Sequence, residues 1–324
     1  MTLLVDDRWT GRYGIGRFTR SVLSRLDGWQ SIACPFRLLH PMEQAWFAAR
    51  LACARGHTFF TPGFNAPAWS RIPTVITLHD LIHVRLPGPT KWRLYYELVV
   101  RPAARRAVAI ATVSEFSRRD ILDWTGLPPE RVVVVGNGVD EEFSPAGDTE
   151  IRGRPYVLCV TNLFPHKNVP RLLRAFGISA ARRDVELVVV AEPTPAIADL
   201  AARHAPGGVT FTGSVTDARL AALYRGATGC VQPSLFEGFG LPVIEAMASG
   251  TPVAHAAGSS LAEVAGGAGI GFEPEDDHAI AEAIDRLVFD SALRSELVPK
   301  GLERARAFRW DAVARRLAAV LSFG

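Results

Sequence analysis

Two carboxylates, Glu237 and Glu245, flank a glycine-rich turn in the stretch Pro233-Ser-Leu-Phe-Glu-Gly-Phe-Gly-Leu-Pro-Val-Ile-Glu-Ala-Met-Ala-Ser-Gly250. The apolar run 229–232 leads into the turn, Gly238 and Gly240 permit sharp backbone, and Pro242 suits a first helical turn. A helix is therefore expected from Leu241 to Ser249, with Gly250 as its left-handed cap. The free N–H groups of Gly238, Phe239, Gly240 and Leu241 would carry partial positive charge and match a phosphate. Carboxylates repel phosphate, yet they accept hydrogen bonds from vicinal hydroxyls. A ligand bearing both a diphosphate and sugars satisfies both signals, and a nucleotide sugar is such a ligand. The same residues also read as an ordinary turn with one capping and one solvated glutamate. The coincidence of strand, paired glycines, proline and spaced acids favours the site.

Other side chains qualify by position. Lys167 lies in Thr161-Asn-Leu-Phe-Pro-His-Lys-Asn168, directly after the apolar run 156–160. Ligands bind at the carboxyl ends of strands in open parallel sheets, which places Lys167 beside the 237–245 turn. Its ammonium would neutralise a diphosphate and stabilise it as a leaving group. The alternative is a solvated lysine opening a helix, which the helix dipole disfavours slightly. His79, Asp80 and His83 form H-D-x-x-H, one methylene from the zinc-protease pattern. That pattern works only on a helix, whereas His79 ends an apolar strand-like run and Pro87-Gly-Pro89 follows closely, so no metal pair is expected. There is no D-x-D, and Cys34, Cys53, Cys159 and Cys230 are far apart, as reduced packing residues would be. No metal and no cofactor are expected; Lys167 and loop amides would balance phosphate charge. Gly14 and Gly16 give half of a dinucleotide fingerprint without its third glycine or acidic partner. What remains is a turn open to a ligand, with Arg17 near enough in sequence to meet a phosphate, or a plain helix entry. Ser114 reads as an N-cap.

These residues need elements to hold them. Strand-like runs at 3–5, 31–33, 58–61, 74–78, 109–113 and 132–135 alternate with helical segments such as 43–55, 91–108 and 115–124. A second series, at 156–160, 185–190, 209–211, 229–232, 252–254 and 270–272, follows a polar, Pro/Gly-bearing linker at 143–150. The alternation predicts an α/β protein with two Rossmann-like parallel sheets. Expected domains are 1–145 and 146–308, with an amphipathic helix at 309–324, and 324 residues suit two domains at about 150 each. A net charge of +3 is too small to argue for nucleic acid. No leader and no long uncharged apolar stretch is read, so a cytoplasmic, non-spanning protein is expected. The segment 91–106 interleaves five basic residues with Trp92, Tyr95 and Tyr96. It is expected either to lie on an anionic bilayer or to be a domain helix with aromatics in the core, interrupted near Pro102.

Glu237 and Glu245 around Gly-Phe-Gly-Leu-Pro resemble the E-x7-E signature of family 4 retaining glycosyltransferases. Pro165-His-Lys-Asn168, Tyr13-Gly-Ile-Gly-Arg-Phe-Thr19 and Val113-Ser-Glu-Phe-Ser117 are similar to bacterial mannosyltransferase-like members. The resemblance covers nearly the whole chain and implies a GT-B fold, two Rossmann-like domains facing across a cleft, donor mainly on the second and acceptor on the first. It implies transfer of a hexose, with retention, from a nucleotide diphosphate sugar to a saccharide or lipid-linked saccharide. The donor is expected to be a GDP-sugar first and a UDP-sugar second. It assigns Glu245 to the nucleotide ribose, Glu237 to the transferred sugar, His79 to the donor-sugar pocket and the Gly213-Ser214 loop to the nucleobase. Asp80 and Ser114 fall on the acceptor side. Asn162 stands where the family commonly has an arginine, so either Asn162 binds as a neutral donor or Arg17 supplies the charge. A nucleotide-sugar epimerase or hydrolase, or an inactive scaffold, are the alternatives.

Overall fold

The computed structural model describes residues 2–11 and 14–322; Tyr13 of the 13–19 motif lies outside them. The chain forms two compact units, Met1–Gly138 with Arg309–Gly324, and Val139–Phe308.

The first unit carries β1 (Thr2–Val5), β2 (Trp29–Ser31), β3 (His57–Thr61), β4 (Thr74–Thr77), β5 (Ala109–Thr112) and β6 (Val132–Val134), all parallel, in the order β2-β1-β3-β4-β5-β6. Side chains alternate across a strand, so neighbours in β4 serve opposite faces. Val75 packs with Val5, Phe18 and Phe60, and Ile76 with Tyr96, Val100 and Ile121. The helix Trp310–Leu321 belongs to this unit and places Trp310, Val313 and Leu317 in the same core as Val75.

In the second unit β7 (Tyr156–Val160), β8 (Glu186–Val190), β9 (Val209–Phe211), β10 (Gly229–Gln232), β11 (Val253–Ala256) and β12 (Gly269–Phe272) are again all parallel. Their order, β12-β11-β10-β7-β8-β9, reverses direction between β7 and β10. That reversal is a topological switch point, where diverging loops leave space for a ligand.

Three local expectations need correction. Strand β2 ends at Ser31 instead of spanning 31–33, because Ala33 adopts a positive φ of 50° that breaks extended pairing. The helix across 91–108 is not stopped at Pro102. A π-helical turn at Tyr96–Val100 joins Thr90–Tyr95 to Arg101–Arg106, and Pro102 falls in the first turn of the latter, where a missing N–H costs least. Residues 143–150 are no free linker: Phe143 is buried with its ring 5.9 Å from Tyr224, Arg225 donates to the Asp148 carbonyl at 2.6 Å, and Arg219 pairs with Glu150 at 3.0 Å. The stretch is packed on the second unit, and the division falls at Gly138–Val139, ahead of residue 145.

Candidate functional site

The exits of β7 and β10 are stitched together at the switch point. Gln232 Nε2 donates to the Val160 carbonyl at 3.0 Å, and Leu235 N–H donates to the His166 carbonyl at 2.8 Å. Asn168, buried and left-handed at φ 59°, donates through Nδ2 to the Pro233 carbonyl at 3.1 Å and to the Pro274 carbonyl at 2.7 Å. This residue ends the 3-10 turn Pro165–Lys167 and opens the helix Val169–Ile178. The turn so fixed aims Lys167 at the loop after β10.

There Lys167 Nζ donates to Glu237 Oε1 at 2.5 Å, with both side chains about five-sixths buried (17% and 15% exposed). The Glu237 backbone is held as well: Ser260 Oγ lies 2.8 Å from the Glu237 carbonyl and 3.0 Å from the Phe239 carbonyl, its one proton shared between them. Gly240 sits at φ 105° before the helix Leu241–Ala248, and a Cβ there would come within 2.3 Å of Leu261 Cδ2. Only glycine fits that turn. The helix begins at Leu241 as its sequence dictates, and Gly250 takes the left-handed conformation at φ 79°. Glu245, one turn into the helix and 4% exposed, accepts from the Tyr224 hydroxyl at 3.1 Å. Phe239 differs from its neighbours: its ring packs edge-on against Phe308 at 5.6 Å, so it faces the site through its backbone.

Lys167 and Glu237 thus meet, and the 238–241 turn and Glu245 follow Glu237 on the same loop and helix. Two other donor-side candidates lie in the second unit. Asn162 is exposed and caps a local turn, accepting from Phe164 N–H at 3.2 Å. Ser214 is exposed beyond β9, two strands from β7, after Gly213 at φ 66°.

In the first unit His79 Nε2 lies 2.9 Å from the Pro62 carbonyl. A carbonyl only accepts, so Nε2 carries a proton, and in the neutral ring Nδ1 is the unprotonated nitrogen. Burial lowers its pKa to about 4, the Pro62 bond opposing this in part. Its own carbonyl accepts from Ser117 Oγ at 2.9 Å, and Ser117 N–H donates to Ser114 Oγ at 3.0 Å, the N-cap of the helix Glu115–Thr125. Asp80 Oδ1 accepts from Ile82 N–H at 3.0 Å and starts the short helix Ile82–Arg85. His83 is on that helix, stacked on Trp92 at 5.3 Å, while His79 precedes it; the H-D-x-x-H residues share no helical face. Among the described residues no group of three or more His, Cys, Asp or Glu is arranged to hold a metal. Gly16 meets its own loop, since a Cβ would lie 1.7 Å from the Gly11 carbonyl oxygen, whereas Gly14 has open space. Arg17 is buried on the helix Gly14–Leu23. Cys159 and Cys230 are buried free thiols, but Cys53 is exposed and does not pack.

Sequence reasoning passed over Tyr224, Asn168 and Ser260. Each acts through a partner distant in the chain, and only Asn168, directly following Lys167, carried a local signal.

Comparison with known proteins bears on this geometry. Residues 12–143 match the family described as Glycosyltransferase Family 4, and residues 154–290 match glycosyl transferases group 1. The O-antigen chain mannosyltransferase B of Escherichia coli is 30% identical over 294 residues, covering 85% of this chain and 76% of that one. The chain belongs to the family 4 glycosyltransferases. A second relative of this glycosyltransferase, the MMP alpha-(1->4)-mannosyltransferase of Mycolicibacterium hassiacum, is 34% identical over 73% of this chain and 59% of its own length. Sucrose-phosphate synthase from Thermosynechococcus elongatus superposes with TM-score 0.81 at 22% identity, over 99% of this chain and 98% of that one. HepE of Anabaena, solved in complex with UDP and glucose, superposes with TM-score 0.81 at 18% identity, over 99% of both chains. At such identities the likeness speaks for the fold, which is GT-B.

Proposed function

We propose that this glycosyltransferase moves a hexose, with retention and without a divalent ion, from a nucleotide diphosphate sugar to a hydroxyl of a saccharide or lipid-linked saccharide. A GDP-sugar, mannose first, is the preferred donor, in line with the two mannosyltransferase relatives. A UDP-hexose comes second, the nucleotide named with HepE. One observation carries the reading: a lysine and a glutamate 2.5 Å apart at the switch point, beside a helix N-terminus. The ammonium and the N-terminus of the helix Leu241–Ala248 suit the diphosphate, and Lys167 would stabilise it as charge grows on the leaving group. The Glu237 carboxylate suits the hexose hydroxyls, and Glu245 the ribose hydroxyls. Neutral His79, with an unprotonated Nδ1, would serve the first unit as an uncharged acceptor for a hydroxyl.

We further propose that the protein works in the cytoplasm and touches the inner membrane through 91–106. Tyr96 is buried in the core, so the exposed apolar side chains for that contact are Leu94 and Leu98. Lys91 and Arg93 are exposed near them. No helix among the described residues is long and apolar enough to cross a membrane.

Titration with GDP-mannose, UDP-glucose and the free nucleotides, read by thermal shift and by release of nucleoside diphosphate, tests the reading. The expected result is stabilisation by one nucleotide class and slow release from its sugar. Indifference to every nucleotide sugar would refute it.

A further inference from the structure

In the structure Lys167 and Glu237 satisfy each other, which is a different use of both groups from the one the transfer reaction requires. The ammonium that must meet a diphosphate is spent on a carboxylate at 2.5 Å, and that carboxylate is the one that must meet hexose hydroxyls. Both side chains are largely shielded from water, so neither is readily left unpaired. The backbone on each side is fixed, by Asn168 and Leu235 next to the lysine and by Ser260 next to the glutamate. Only the side chains are free to change partners.

We infer that the Lys167–Glu237 ion pair is a latch that a donor must open, and that it makes the site discriminate a nucleotide sugar from the bare nucleoside diphosphate. This rests on the donor reading above. A nucleotide sugar supplies a new partner to both halves: its diphosphate takes Lys167 and its hexose hydroxyls take Glu237. A nucleoside diphosphate supplies only the first. It must draw Lys167 away and leave a largely buried carboxylate without the partner it had in the free protein, which weakens its binding. After transfer the product is the molecule the latch works against, so re-pairing of Lys167 with Glu237 favours its release.

The test is calorimetric titration of GDP and UDP into the full chain and into Glu237→Gln, with circular dichroism as a folding control. The glutamine keeps the shape and removes the charge that holds Lys167. The variant is expected to bind the favoured nucleoside diphosphate about ten-fold more tightly than the unmodified chain, the factor that one charge-assisted hydrogen bond supplies. Repetition in a Lys167→Met background separates a latch from plain repulsion. The gain is expected to vanish there, because no lysine remains to be released, whereas repulsion by Glu237 alone would keep the gain and overturn the latch. Equal or weaker binding by Glu237→Gln would overturn it too, leaving the donor reading intact. If no variant binds either nucleotide, the latch and the donor reading fall together.

Discussion

Glu237 and Glu245 occupy different settings, and they should fail differently. Glu245 is buried and held by Tyr224, which would preset it for the proposed ribose contact, one made equally in ground and transition states. Glu245→Ala is expected to raise the donor KM, and Glu237→Ala to lower kcat, each by roughly ten- to a hundred-fold if a charged hydrogen bond contributes about 1.5–3 kcal/mol. Steady-state kinetics on the two variants checks this, and Tyr224→Phe should follow Glu245→Ala with a smaller effect. His79 makes a prediction about pH. Its folded pKa, about 4, is below the unfolded value, so between about 6.5 and 4 the unfolded chain binds the extra proton. Stability should therefore fall as pH drops through that window, and His79→Gln should flatten the slope in urea titrations at pH 4–7. The carboxylates and Lys167 were legible in the sequence because their residue types announce chemistry beside glycine and proline. Tyr224 and Ser260 were not, since their work depends on contacts about twenty residues away in the chain.

At the scale of elements, the Gly238–Gly240 turn and its helix could be read almost to the residue, because φ 105° at Gly240 and φ 79° at Gly250 are conformations that only a short list of residue types adopts. Gly240→Ala should cost about 1–3 kcal/mol of backbone strain and a further clash with Leu261, seen as a lower denaturation midpoint and lost transfer. Elsewhere tertiary context overruled the local pattern. The π-helical turn at Tyr96–Val100 absorbs Pro102, and nothing in the spacing of apolar residues distinguishes that from a break. Phe143 turned an expected linker into packed surface, although its neighbours Ser144, Pro145 and Gly147 have the composition of a loop. The helix Trp310–Leu321 makes its own prediction. It buries Trp310, Val313, Leu317 and Val320, at about 1.5–3 kcal/mol per side chain, against a typical domain stability of about 5–15 kcal/mol. A chain ending at residue 308 should lose cooperative melting of the first unit by circular dichroism.

For the whole molecule, the alternation of strands and helices in the sequence was enough to specify two parallel six-stranded sheets, since parallel strands demand crossover helices. Strand order was not, because an apolar run marks a buried strand without saying which neighbours it pairs with. The proposed absence of a metal requirement predicts full transfer in EDTA; activity restored only by magnesium or manganese would argue otherwise. Contact with a membrane through Leu94 and Leu98 predicts salt-sensitive co-sedimentation with anionic vesicles, weakened by a Leu94→Ser, Leu98→Ser double variant. The most direct test of the central claim, that the β7–β10 switch point holds a nucleotide sugar through Lys167 and Glu245, is calorimetric titration of GDP-mannose and UDP-glucose in EDTA. The account predicts one-site binding of at least one of them, weakened about ten-fold or more in Lys167→Ala and in Glu245→Ala. Binding that survives both substitutions unchanged, or no binding of either sugar nucleotide, would contradict it.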